Sequence, residues 1–308
     1  MQGYFMKKDI AEQILQLKKE KNAVILAHYY CGDDVQSVAD FVGDSFYLAK
    51  IARDSRADVL VFCGVSFMGE SAKILNPEKT VLMPDLMADC AMAHMASIEK
   101  IKEMRAAYPD LAVVCYINST AQLKCHSDVC VTSSNALEIV RALPNHDIFF
   151  IPDENLGNFV KENVPEKNVM VNKGYCPIHK AITAEQVTAQ KAEHPDAKVL
   201  AHPECAGEVL ALADYVGSTA QIIQYVKKSG ASAFIVCTEV GVSYELRRNN
   251  PDKRFYFVEP CPCCADMKLN TPEKILEVLQ TGENAVTVDE AVRRQALLPL
   301  DRMLELAK

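Results

Sequence analysis

Short apolar, β-branched runs recur along the chain, each closed by Gly, Pro, Asp or another polar residue: 24–28, 59–65, 80–85, 111–118, 148–153, 169–172, 198–202, 233–239 and 254–260. Brief runs that are apolar on both faces predict buried parallel strands. Between them, residues 9–21, 97–107 and 183–194 carry apolar positions at helical spacing. Strand and helix alternate, which predicts the α/β class.

One local pattern occurs three times. A cysteine, six residues, then Ser/Thr-x-Glu-Lys/Gln-Ile/Val is found at Cys90 with Ser97, at Cys176 with Thr183 and at Cys264 with Thr271, and the cysteines are spaced by 86 and 88 residues. The Ser or Thr is a helix N-cap, the following Glu complements the helix dipole, and Pro272 suits a first helical position. Other positions share the spacing. His28 and Tyr30, Tyr116 and Asn118, and His202 and Glu204 close the first strand of each repeat, and Ser45, Ser133 and the pair Ser218–Thr219 follow. The repeat divides the chain into 1–96, 97–182 and 183–270, with helices in 271–308 expected on the first. Ligands of open α/β sheets collect at the carboxyl ends of strands, so these polar positions are expected to face a common cavity.

Composition narrows the chemistry. A formal net charge of −8 argues against broad nucleic-acid binding, and no apolar run is long enough to span a bilayer. The first residues lack the apolar core and cleavage site of a signal peptide, so the expected location is cytoplasmic. In that reducing compartment twelve cysteines are small core residues, metal ligands or catalytic groups rather than disulfides. Cys63, Cys115 and Cys237 lie inside apolar strands and read as core, as do Cys31, Cys125, Cys130 and Cys205.

The run Cys261-Pro262-Cys263-Cys264 contains a C-x-x-C that by itself fits a redox pair, a zinc half-site or a cluster ligand. The repeat selects Cys264, the only one of the three that stands seven residues before Thr271. Three cysteines with no fourth equivalent fit a closed four-cysteine zinc site poorly and suit an iron–sulfur cluster with one open iron. A strand-end Ser or Thr is more often a helix cap than a ligand, yet a helix N-terminus also offers N–H groups to anions.

Residues 27–45 (AHYYCGDDVQSVADFVGDS), 67–75 (FMGESAKIL), 83–93 (MPDLMADCAMA) and 113–124 (VVCYINSTAQLK) resemble the quinolinate synthase family. PDENLGNFV, NKGYCPIH, HPEC, GSTAQ, CTEVG and CADMKLN continue the match in order over essentially the whole chain. The resemblance implies three similar three-layer α/β/α domains around a central [4Fe–4S] cluster held by Cys90, Cys176 and Cys264, with one open iron. It implies condensation of iminosuccinate with dihydroxyacetone phosphate to quinolinate, phosphate and water in de novo NAD synthesis. The pathway so implied links the chain to L-aspartate oxidase. His28, Tyr30, Ser45, Tyr116, Asn118, Ser133, His179, His202, Glu204, Ser218 and Thr219 would line the substrate site. Glu204 is the expected general base and Tyr30 a mobile proton donor, with His28 and His202 holding substrate oxygens. A hydro-lyase acting on a hydroxy acid would share the open iron without needing a phosphate site, and a Cys261–Cys264 disulfide stays open as a regulatory alternative.

Overall fold

The computed structural model describes residues 2–307 of the chain. Among them are three four-stranded sheets, parallel throughout. The first holds β1 (Ala23–His28), β2 (Phe41–Gly43), β3 (Val59–Cys63) and β4 (Thr80–Leu82) in the order β2-β1-β3-β4. The second holds β5 (Ala112–Tyr116), β6 (Val129–Val131), β7 (Asp147–Ile151) and β8 (Asn168–Val171) in the order β6-β5-β7-β8. The third holds β9 (Lys198–Ala201), β10 (Tyr215–Val216), β11 (Ala233–Cys237) and β12 (Arg254–Tyr256) in the order β10-β9-β11-β12.

The chain divides into two compact units: Met1–Cys90 with Cys264–Arg294, which carries the first sheet, and Ala91–Cys263 with Gln295–Lys308, which carries the other two. Within the first unit, helix Pro272–Thr281 packs against helix Gln2–Glu20 and β3. No helix among the described residues is long and apolar enough to cross a membrane.

The nine expected strands are all present, though β3, β4, β5, β7, β11 and β12 stop two or more residues before their apolar run ends. The strands the pattern did not predict are β2, β6 and β10, each of two or three residues at a sheet edge. So short a segment carries no resolvable period.

What fixes those edges is repeated three times. Asp40, Asp128 and Asp214 each stand just before an edge strand or its turn. Their carboxylates accept the N–H of Ile25 (2.8 Å), Val113 (2.7 Å) and Val199 (2.8 Å), and their own N–H groups return to the same residues' carbonyls. Three lysines do comparable work one helix later. Lys79 Nζ donates to the carbonyls of Ala52 and Ser55, Lys167 to those of Leu143 and Asn145, and Lys253 to those of Val226 and Ser229. Each ammonium satisfies carbonyls at a helix C-terminus, where the dipole favours a cation.

The predicted caps form. Ser97 accepts from Lys100 N (3.1 Å), Thr183 from Gln186 N (3.3 Å) and Thr271 from Lys274 N (3.4 Å), with Pro272 at the start of its helix.

Candidate active site

Each of the three cysteine loops is built the same way. Each cysteine stands directly before a short helical turn: Cys90 before Ala91–His94, Cys176 before Pro177–Lys180 and Cys264 before Ala265–Lys268. Two residues before each cysteine, a carbonyl accepts a backbone N–H from the turn after the third strand of its repeat. These bonds run from Ser66 to Ala88 (2.8 Å), from Glu154 to Gly174 (2.6 Å) and from Val240 to Pro262 (2.8 Å). The backbone thus puts Cys264 in register with Cys90 and Cys176. All three cysteines are half-buried, whereas Cys261 and Cys263 are exposed and the six at 31, 63, 115, 130, 205 and 237 are buried; Cys125, expected in the core, is half-buried as well.

In the second unit, the ends of β5 and β9, the helix Pro177–Lys180 and the turn after β6 bring five of the candidate residues into one network. Tyr116 Oη donates to Glu204 Oε1 at 2.5 Å, and His179 Nδ1 lies 2.7 Å from Glu204 Oε2. His202 stacks on His179 with ring centroids 4.6 Å apart, and its Nε2 is 3.2 Å from Ser133 Oγ. Glu204 is only 3% exposed. Burial alone would push its carboxyl up, but the charges of His179 and His202 and the hydrogen bonds from His179 and Tyr116 outweigh it and hold the group at about 2. Nearby Asp153 goes the other way: burial first, then the Glu204 charge, push it well above the usual carboxylate range.

In the first unit, His28 Nδ1 accepts the Tyr30 N–H at 3.1 Å, and the two rings meet edge-on at 4.5 Å. Lys268 Nζ donates to the Tyr30 carbonyl at 2.5 Å, so the turn headed by Cys264 also holds the segment carrying Tyr30.

The hydroxyl residues need a correction. Ser45, Ser133 and Thr219 are not the helix caps expected of them. Asp44 caps Ser45–Asp54, Asn135 precedes Ala136–Ala142, and Ser218 caps Thr219–Lys228 with a full capping box to Gln221. Ser45 and Thr219 are first helical residues, and the capping signal was displaced by one because Asp and Ser neighbours compete for the role. Asn118 closes β5's turn with its Oδ1 buried and without a hydrogen-bond partner, a group that a ligand donor would satisfy.

The sequence profile described as Quinolinate synthetase A protein matches residues 12–305. The chain belongs to that family. It is 51% identical over 296 residues to a quinolinate synthase of Fusobacterium nucleatum, covering 96% of this chain and 99% of the relative. A quinolinate synthase of Clostridioides difficile is 50% identical over 303 residues, 98% of this chain and all of the relative. One from Sulfurihydrogenibium is 44% identical over 304 residues, covering 97% and 99%.

For this quinolinate synthetase A family member the donor chemistry fits an iron–sulfur group. Three half-buried cysteines stand at equivalent loop positions, each pinned by the same backbone bond. Cys176, His179 and Glu204 also bring one donor atom each within 4.8 Å of one another, a set that could take a zinc-like cation. Sequence reasoning missed two buried residues here. Thr238 Oγ1 lies 2.8 Å from His179 Nε2, and Asp153 accepts the Cys176 N–H. The CTEVG and PDENLG motifs contain them, but each also fits an ordinary strand end followed by a cap, so no local signal separated the roles.

Proposed function

We propose that the chain is a quinolinate synthase, a transferase that condenses iminosuccinate with dihydroxyacetone phosphate, releasing quinolinate, phosphate and two waters, in the cytoplasmic de novo route to NAD. L-aspartate oxidase chemistry would supply the imine. No nucleic acid or membrane takes part.

Cys90, Cys176 and Cys264 would hold a [4Fe–4S] cluster in this reading, and its open iron would supply Lewis-acid chemistry suited to dehydration. The remaining work falls to the chain's own side chains. Ionised Glu204 accepts protons. Tyr116 orients that carboxylate through its phenol hydrogen bond. Tyr30 donates protons, His28 and His202 hold substrate oxygens, and His179 orients Glu204. Ser45, Ser133, Ser218 and Thr219, with the Asn118 amide, take the carboxylates and phosphate; hydroxyls and helix N–H groups suit those anions. The domains proposed for this arrangement are 1–96, 97–182 and 183–270, each a three-layer α/β/α domain beside the cluster, with the helix Pro272–Thr281 packed on the first.

The observation that carries the reading is the buried Tyr116–Glu204–His179–His202 network at strand ends, beside one of three equivalently pinned cysteines. Purified anaerobically and supplied with both substrates, the protein should form quinolinate and phosphate in equal amounts. Visible absorption from thiolate-to-iron transitions with no quinolinate would move the assignment to a hydro-lyase, and zinc without that absorption would favour the Cys176–His179–Glu204 site.

A further inference from the structure

The loop before Cys176 is zipped onto the turn after β7. Asp153 and Gly174 form a parallel bridge, Glu154 N donates to Gly174 O at 2.6 Å and Gly174 N donates to Pro152 O at 3.0 Å. Asn172 Nδ2 adds a third bond, to Pro152 O at 2.7 Å. The approach is close enough that a Cβ on residue 174 would stand 2.6 Å from Pro152 O, which explains a glycine there. Fully buried Asp153 closes the zipper: Oδ1 accepts from Leu156 N at 2.6 Å, capping Glu154–Asn163, while Oδ2 accepts from Cys176 N at 3.1 Å.

We propose that Asp153 is a positioning residue which fixes the Cys176 thiol for the cluster, an inference that rests on the cluster reading above. A cap needs one oxygen. Here a carboxylate is used at a buried cap, and its second oxygen goes to the ligand residue's own N–H. That bond sets the backbone from which the thiol projects, 3.2 Å from His179 Nδ1. Groups of this kind, which touch a ligand and not the metal, hold its orientation, and their loss typically weakens metal binding about 10- to 100-fold.

Two variants separate positioning from capping. Asp153→Ser keeps an oxygen for Leu156 N but has none for Cys176 N. Asp153→Asn keeps the shape and sets an amide N–H against the Cys176 N–H. In iron-free protein, alkylation of each cysteine is followed by peptide mass spectrometry. In anaerobically reconstituted protein, iron release to a chelator and the electron paramagnetic resonance of the reduced cluster are recorded. Both variants should alkylate Cys176 several-fold faster while Cys90 and Cys264 keep the parent's rates. They should also release iron about 10-fold faster or more and shift the cluster's resonance. Parent-like alkylation, iron release and resonance in Asp153→Ser would leave Asp153 a cap alone and overturn the proposal. Faster Cys176 alkylation in a chain whose parent takes up no iron would sustain the fixing of the loop and sink the cluster reading instead.

Discussion

The two ends of the sheets follow different rules. At the amino ends, all three repeats use the same residues for the same bonds: Asp40, Asp128 and Asp214 lock an edge strand, and Lys79, Lys167 and Lys253 close a helix C-terminus. At the carboxyl ends the first strands finish in three different pairs, His28 with Tyr30, Tyr116 with Asn118, and His202 with Glu204. The cysteine loops and their backbone pins recur there in all three repeats, and the first and third also share a His whose Nδ1 accepts the N–H two residues on, from Tyr30 at 3.1 Å and from Glu204 at 3.3 Å. A repeated fold needs the same anchor in every copy, so the amino ends stay alike. Chemistry on one asymmetric substrate needs different groups around it, so the carboxyl ends differ. Stability and activity should therefore separate along the strand axis.

The widest separation is expected at Glu204. Glu204→Gln keeps the Tyr116 contact and the shape of the side chain but removes the charge, and loss of a general base commonly lowers turnover about 10²- to 10⁴-fold. Iron content and melting temperature should stay close to the parent's. A large drop in melting temperature with turnover per folded molecule preserved would erase the distinction between the two ends.

The reverse result is expected at Lys79, whose buried ammonium donates to Ala52 O (3.0 Å), Ser55 O (2.7 Å) and Asn76 Oδ1 (2.8 Å). Lys79→Met should leave these acceptors unpaired at a cost of about 2 kcal/mol, read as a lower urea midpoint. Turnover of the folded fraction should be unchanged. Lys253→Met tests whether the equivalent residue in another repeat behaves alike.

Much of this was legible in the chain itself. The nine apolar runs gave the six central strands, which are buried on both faces and need no alternation to be recognised, and one edge strand of each sheet. The cysteine register was legible because Ser97, Thr183 and Thr271 are caps with a defined offset, and the backbone pins agree with it. The amino-end locks were not. Asp40 and Lys79 act across 15 and 24 or more residues on backbone atoms, and a contact to a carbonyl leaves no mark on its partner's identity. The polar network was half legible: residue types at strand ends named Tyr116, His202 and Glu204, whereas Thr238 and Asp153 looked like ordinary turn residues.

The smallest effect, and one that tests an anchor at the carboxyl end of a strand, concerns Asp85 and Lys274. Asp85 follows β4 on the way to Cys90, and Lys274 Nζ, from the helix capped by Thr271, reaches its Oδ2 at 2.5 Å and also the Leu269 carbonyl at 2.9 Å. The Lys274 hydrogen bond is the main cause that holds the Asp85 carboxyl below its ordinary value of 3.8, against a smaller opposing effect of burial. With the folded value depressed, the unfolded chain binds more protons in acid, so the pair's contribution is complete above that ordinary value and is lost as the pH falls through the lower folded one. Because both side chains are partly exposed, the contribution should be about 0.5–1 kcal/mol. Lys274→Met should therefore lower the urea midpoint slightly at pH 7 and converge with the parent as the pH is taken below 3.8. Activity should barely change, since the contact supports the loop's position and touches none of the proposed substrate groups. A difference that stayed constant into acid would mean Lys274 acts through packing and its bond to Leu269, and a large loss of turnover would show that the anchor and the chemistry at this strand end are not separable.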